Sequence, residues 1–146
     1  FKLAVAKLST QFLARSRAPV LRFRVWFAAT FDRRQQLIKQ AFFNIIQNAF
    51  DAMPHGGSLT VTCEHAHGKA LIRFADTGGG IDPAATARIM QPFFTTRHHG
   101  TGLGLPIALS IVEAHGGELT FVAQPGHGTT FTVHLPLLAE KEFTVS

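Results

Sequence analysis

The chain has 146 residues, 46% of them hydrophobic and 16% charged, a balance that excludes a disordered polypeptide and suits one domain with its own core. No apolar run reaches the roughly 18 residues of a membrane span, no signal-peptide pattern is visible, and the single Cys63 excludes an internal disulfide. Net charge is +5 but unevenly placed: residues 1–40 hold nine Lys/Arg against one acidic residue, the remainder five against eight. The basic front, including Arg15, Arg17, Arg22, Arg24, Arg33 and Arg34, is not interleaved with stacking aromatics. A solvated or partner-facing surface is therefore expected there, and neither nucleic acid nor membrane. The chain opens on Phe1, so a piece of a longer or processed protein is expected, whose missing parts would decide any membrane anchoring.

Leu3 to Ala14 reads as an amphipathic helix with Val5, Leu8 and Phe12 on one side, and Pro19 ends that region. Leu21 to Ala28 alternates, Phe23, Val25 and Phe27 against Arg22, Arg24 and Trp26, as a strand with one buried face does. Thr30 or Asp32 then caps a helix that runs to about Met53. Its apolar stripe is Ile38, Phe42, Ile45, Ile46, Ala49, Phe50 and Met53. Its opposite side carries Asn44, Asn48 and Asp51 at i, i+4 and i+7. Asn is a poor helix former, so this polar line is either a solvated face or a face turned to a ligand.

Pro54-His55-Gly56-Gly57 stops the helix, and Ser58–His67 and Lys69–Asp76 form a hairpin around Gly68. Asp82-Pro83 opens a short helix, 91–103 is a loop, and Gly104 to His115 is a helix stopped by Gly116-Gly117. Glu118–Ala123 and Thr129–Leu135 close the chain as a second hairpin around Pro125-Gly126-His127-Gly128. Strands in hairpins with helices between them give an α+β fold: one mixed sheet of about five strands with its helices on one face. The expected domain spans 1–138, with a leading helix at 1–18 and a tail at 139–146.

Three stretches carry candidate chemistry. Asp76-Thr77-Gly78-Gly79-Gly80-Ile81 leaves a strand; its glycines let a flat ligand approach and Asp76 could accept from an exocyclic amino group, although the same residues make an ordinary turn. Gly100-Thr101-Gly102-Leu103-Gly104-Leu105 runs into a helix N-terminus, a ready phosphate site, or else a flexible connector. Between them, Phe93-Phe94-Thr95-Thr96-Arg97 could anchor a flap, with Arg97 reaching a phosphate, or Phe93 and Phe94 are core residues, as expected for at least one of them. Cys63, His65 and His67 alternate on one strand and could bind zinc, against the plainer reading of a solvent-facing edge.

In order, Asn44-x-x-x-Asn48-Ala49, Asp76-x-Gly78-x-Gly80, Pro92-Phe93-Phe94-Thr95-Thr96 and Gly100–Leu105 resemble the N, G1, F and G2 boxes of the sensor histidine kinases. Val112–Gly117 is similar to the helix end that follows, and the variant looks like the nitrogen-regulation and oxygen-sensing kinases. The wider superfamily includes the ATP-binding domains of gyrase, the Hsp90 chaperones, MutL and the anti-sigma kinases. The resemblance covers residues 20–136 and implies a two-layer α/β sandwich, the Bergerat ATP-binding fold.

It implies a catalytic domain that binds ATP and Mg²⁺. Asn48 would ligate the metal and Asn44 the phosphate–metal cluster, with Asp51 near them. Asp76, Gly78, Gly80 and Ile81 would receive adenine, with Thr129 on an adenine-site water. Thr95, Thr96 and Arg97 in the lid, and Gly100, Thr101, Gly102, Leu103, Gly104 and Leu105 beyond it, would enclose the phosphates. Asn44, Asn48 and Arg97 would be the catalytic residues. The implied partners are a His-bearing dimerisation domain and a response regulator receiver domain. The expected setting is cytoplasmic and the isolated domain monomeric. The alternatives are a non-catalytic interaction module and an anti-sigma-like serine kinase on the same fold.

The chain departs from the pattern in four places. No His precedes His55, so the phospho-accepting helix is missing and autophosphorylation of this piece is not expected. Asp51 stands where many members carry a basic phosphate contact, Arg97 where Lys is commoner, and Gln36 where an acidic residue is usual. Asn44 occupies the position at which hydrolysing members carry Glu, and an amide cannot take a proton from water, which favours transfer over hydrolysis.

Overall fold

The computed structural model describes residues 8–13, 33–96 and 100–137. Their order is β1 (Leu8–Leu13), α1 (Arg33–Asp51), β2 (Gly56–Ala66), β3 (Lys69–Asp76), α2 (Pro83–Thr86), α3 (Gly104–Ala114), β4 (Glu118–Gln124) and β5 (Gly128–Pro136). The strands form one five-stranded sheet in the order β1-β2-β3-β5-β4. Every ladder among the described residues is antiparallel, where the element order suggested a mixed sheet. Short turns join β2 to β3 and β4 to β5, and hairpins permit no other sense.

One expectation fails at the front. Leu8–Leu13, read from its spacing as part of a helix, is a strand whose six residues pair in register with Val61 back to Gly56. A short apolar pattern is compatible with either state, and pairing along an open sheet edge outweighs a weak helical preference. The strand expected at 21–28, the caps at Thr30 and Asp32 and the tail at 139–146 lie outside the described residues.

The β2–β3 hairpin turns on His67 and Gly68, both at positive φ (52° and 71°), the backbone of a tight two-residue turn. The β4–β5 turn is longer and places Gly126 and Gly128 at φ 78° and 94°.

Helices α1 and α3 pack on each other and on one face of the sheet, α1 over β2 and β3, α3 over β4 and β5. The apolar stripe of α1 supplies Ile45 and Ala49 to the core, and Met53 follows just beyond its end, with Ala41 added and Ile38, Phe42, Ile46 and Phe50 half-buried around it. Leu59, Ile72, Phe74, Phe131, Val133 and Leu119 meet them from the strands, and Ala108, Ile111 and Val112 from α3. Phe42 stacks at a tilt on Phe74 with ring centres 5.4 Å apart, and Phe121 on Phe131 at 5.6 Å. Burying each such side chain contributes about 1.5–3 kcal/mol, enough to fix which face of α1 turns inward. The polar line of α1 is thereby turned to the edge of this core. No helix among the described residues is long and apolar enough to cross a membrane.

Candidate nucleotide site

The sequence puts Asn44, Gln47, Asn48 and Asp51 on one stripe of α1, at i, i+3, i+4 and i+7, and all four line a cavity of about 590 Å³. That volume lies in the range of roughly 300–1,000 Å³ usual for small-molecule sites. Gly80 and Ile81 add to the lining, followed by Asp82, Ala85 and Ile89. Phe94, Thr95, Thr96, Gly100, Thr101 and Gly102 close one side. Gly104, Leu105 and Pro106 bring in the start of α3, and Thr129 comes from β5.

Asn44 is held from across the cavity. Its Nδ2 donates to the Gly104 carbonyl at 3.2 Å. Only the NH₂ side of an amide can meet a carbonyl, so this bond fixes which way the amide oxygen turns. Gln47 Nε2 donates to Asp51 Oδ1 at 2.9 Å, ordering the far end of the same stripe.

Asp76 is only 6% exposed and Thr129 only 4%. The Asp76 carboxylate is a structural hub: Oδ1 accepts from the Gly78 N–H at 2.8 Å and from the Thr129 N–H at 3.2 Å. The following loop is clamped to its surroundings. Gly79 N–H donates to the Ala52 carbonyl at 3.4 Å, and Gly126 N–H to the Gly79 carbonyl at 2.8 Å. A Cβ on Gly78 would lie 2.7 Å from the Ala52 carbonyl oxygen, one on Gly80 would overlap the Gln124 carbonyl, and one on Gly128 the Asp76 carbonyl. Gly78, Gly80 and Gly128 are therefore required by the chain's own packing, whereas a Cβ on Gly79 would meet nothing within 4 Å.

The second glycine box differs at its two ends. Gly102 sits at φ 67°, and a Cβ there would lie 2.6–2.8 Å from the Phe93 and Phe94 backbone. Phe93 N–H donates to the Gly102 carbonyl at 3.0 Å, which ties together the two ends of the 93–102 segment. Phe93 is itself at φ 65° and 76% exposed, and Phe94 is half-buried under the guanidinium of Arg88, 4.4 Å from its ring centre. Neither is the fully buried core residue expected for one of them, because this segment turns outward at Phe93. Gly104, by contrast, would place a Cβ no nearer than 4.0 Å to Asn44 Cβ, so the backbone there is open.

Helix starts show where a ligand fits. Asp82 caps α2, accepting from Ala84 N–H at 2.8 Å. The 11-residue α3 begins after Leu103, which makes no side-chain cap bond. Leu is among the poorest N-cap residues, worse than Ser or Asp by about 1 kcal/mol. An uncapped helix start with its positive dipole end at a cavity wall suits an anionic ligand such as phosphate, and the amide and carboxylate oxygens facing it suit a hard cation.

Of the residues expected from sequence, Asn44, Asn48, Asp51, Gly80, Ile81, Thr95, Thr96, Gly100, Thr101, Gly102, Gly104, Leu105 and Thr129 meet at this cavity. Asp76, Gly78 and Leu103 do not line this cavity; Asp76 instead accepts from the N–H groups of Gly78 and of Thr129, which does line it. Arg97 lies outside the described residues. Gln47, Ala52, Asp82, Ala85, Ile89 and Pro106 are wall residues that the motifs do not indicate. Gln47 alone had a signal, since it falls on the Asn44–Asp51 stripe.

The zinc reading fails. Cys63 packs against the core, its thiol pushed above the ordinary range by burial and then by the neighbouring Glu64 charge, while His65 and His67 are exposed. Among the described residues no group of three His, Cys, Asp or Glu side chains could hold a metal ion. His115 belongs to the end of α3 as expected: Nδ1 is 2.7 Å from the Ile111 carbonyl and Nε2 3.0 Å from that of Arg34.

Comparison with known proteins matches residues 33–139 to the family of histidine kinase-, DNA gyrase B- and HSP90-like ATPases. Sporulation kinase C of Bacillus subtilis is 42% identical over 103 residues, 70% of this chain but 24% of that protein. The catalytic domain of histidine kinase ThkA superposes with a TM-score of 0.62 at 34% identity, covering 70% of this chain and 67% of the other. Full-length ShkA in complex with AMPPNP gives 0.62 at 32% identity, over 68% of this chain and 21% of that one. The chain thus spans about a quarter of that sporulation kinase's length. It belongs to the histidine kinase-, DNA gyrase B- and HSP90-like ATPase family, as an ATP-binding domain of the sensor histidine kinase kind.

Proposed function

We propose that this chain positions Mg²⁺–ATP for transfer of the γ-phosphoryl group to a histidine on a separate dimerisation domain, as the catalytic domain of a two-component sensor kinase. One observation carries the reading: the uncapped start of α3 faces the Asn44–Asn48–Asp51 stripe across a single cavity. The ShkA complex with an ATP analogue supports a nucleotide as the occupant.

The N–H groups at Gly102 and Gly104 would receive the phosphates, and the amide oxygen of Asn48 would hold the metal. Mg²⁺, when bound, supplies neutralisation of the phosphate charge. Asn44, braced on the Gly104 carbonyl, would orient the phosphate chain. Asp76 fixes Thr129 and Gly78 and so shapes the end of the site that would receive adenine. The 93–102 segment, with Arg97, would cover the ligand and exclude water. No proton acceptor stands at position 44, so water is not activated there and the site awaits an external nucleophile. A receiver domain would then take the phosphoryl group, in a cytoplasmic setting.

Mixing the chain with a cognate helical domain and γ-labelled ATP tests this. Acid-labile label on a histidine of that domain is the expected result. Acid-stable label on serine would favour an anti-sigma-like kinase, and ATP binding without transfer a non-catalytic module.

A further inference from the structure

The cavity has an electrical polarity that the nucleotide reading does not by itself require. At one end α3 presents its N-terminus, the positive pole of the helix. At the other, α1 ends at Asp51, so the negative pole of a 19-residue helix coincides with a carboxylate. Asp51 is on the wall, with Oδ1 held by Gln47 Nε2 at 2.9 Å. Asp82, whose Oδ1 caps α2, is a second carboxylate among the lining residues.

A nucleotide polyphosphate entering alone would gain at the α3 end and be repelled at the α1 end. A nucleotide carrying a divalent cation meets both ends with matching charge. We infer that Asp51 makes this site selective for the metal complex of the nucleotide over the metal-free anion. The inference rests on the nucleotide reading and adds to it a residue that sets which form of the ligand is accepted. Asp51 stands three residues beyond Asn48 on the same stripe, so it adds negative charge beside the position proposed for the cation. Mg²⁺ keeps several of its waters, and a nearby carboxylate suits such a shell. Exposed as it is, Asp51 acts through charge and not through packing.

The experiment is calorimetric titration of the 146-residue chain with ATP, once in excess Mg²⁺ and once in EDTA, for the native chain, Asp51→Asn and Asp51→Ala. The reading is the ratio of the two dissociation constants. The native ratio is expected to be large, and both variants should narrow it about twofold to fivefold, the scale of one solvent-screened charge contact. Most of the narrowing should come from tighter binding in EDTA. Glu118→Gln, a change of equal charge at an exposed residue in β4, should leave the ratio unaltered. An unaltered ratio in both Asp51 variants, or equal narrowing by Glu118→Gln, overturns the inference while leaving nucleotide binding intact. Absence of binding in either condition by the native chain overturns the nucleotide reading and the inference with it.

Discussion

The two glycine-rich stretches of this protein look alike in sequence and do different work. In Asp76–Gly80 and its partner Gly128, a side chain at Gly78, Gly80 or Gly128 would collide with Ala52, Gln124 or Asp76, all parts of the same chain. These glycines close the β3 exit onto α1 and the β4–β5 turn, and so hold Asp76 buried against Thr129. In the second stretch Gly102 is locked, against the backbone of Phe93. Gly104 faces open space at the start of a helix whose N-cap residue bonds nothing with its side chain. Glycine serves packing in the first box and access in the end of the second.

Gly128→Ala should break the first box most severely. The new methyl would run into the Asp76 carbonyl, at a φ of 94°. Overpacking and left-handed strain together cost about 3 kcal/mol or more, so thermal unfolding should show a large drop in Tm and nucleotide binding should fall with it. Unchanged Tm would mean that the close approach is easily relaxed. Next in size, Asn48→Ala should weaken Mg²⁺-dependent ATP binding about tenfold or more, the scale of a lost contact to a charged partner of roughly 1.5–3 kcal/mol, with little change in Tm. Glu118→Gln serves as the control in the same titration, and an equal effect there would remove Asn48 from the metal site.

Gly104→Ala sharpens the contrast because stability and binding should move in opposite directions. Its φ is not positive and nothing crowds it, so Ala should stabilise the helix by up to about 1 kcal/mol in a denaturant melt. ATP affinity should fall severalfold, because the methyl stands where phosphate is proposed to approach. A variant that both unfolds early and binds poorly would make Gly104 a packing glycine like Gly128. The smallest effect concerns Cys63. Its thiol is raised in the folded state, so protons are held there more tightly than in the unfolded chain. The corresponding stability is complete below the ordinary thiol value of roughly 8.5 and is lost as pH rises above it. Cys63→Ala should flatten that alkaline decline in Tm, and a parallel decline in both proteins would contradict it.

Much of the fold and of the site is legible in the sequence where the signals are local. The 3.6-residue period of α1 separates Ile45, Ala49 and Met53 from Asn44, Asn48 and Asp51, and burial follows that split. The tight turn at His67-Gly68 and the Asp82-Pro83 helix start carry their own backbone requirements. What is not legible depends on distant pairing. Leu8–Leu13 becomes a strand because β2 offers an edge, which no spacing within those residues records. Ala85 and Ile89 line the cavity through tertiary packing that no local motif records, and the Asp76 carboxylate is tied to the Thr129 N–H where β5 pairs with β3. Nor does composition reveal that Gly78, Gly80 and Gly128 answer to each other's surroundings, since the atoms they avoid are remote in sequence.

The central claim is that the cavity between the α1 stripe and the start of α3 is a nucleotide site. Calorimetric titration of the native chain with ATP in excess Mg²⁺ tests it most directly. The account predicts saturable binding of a single nucleotide per chain, with ADP also bound. No binding of either nucleotide at concentrations on the order of 1 mM, about −4 kcal/mol of binding free energy, would contradict it.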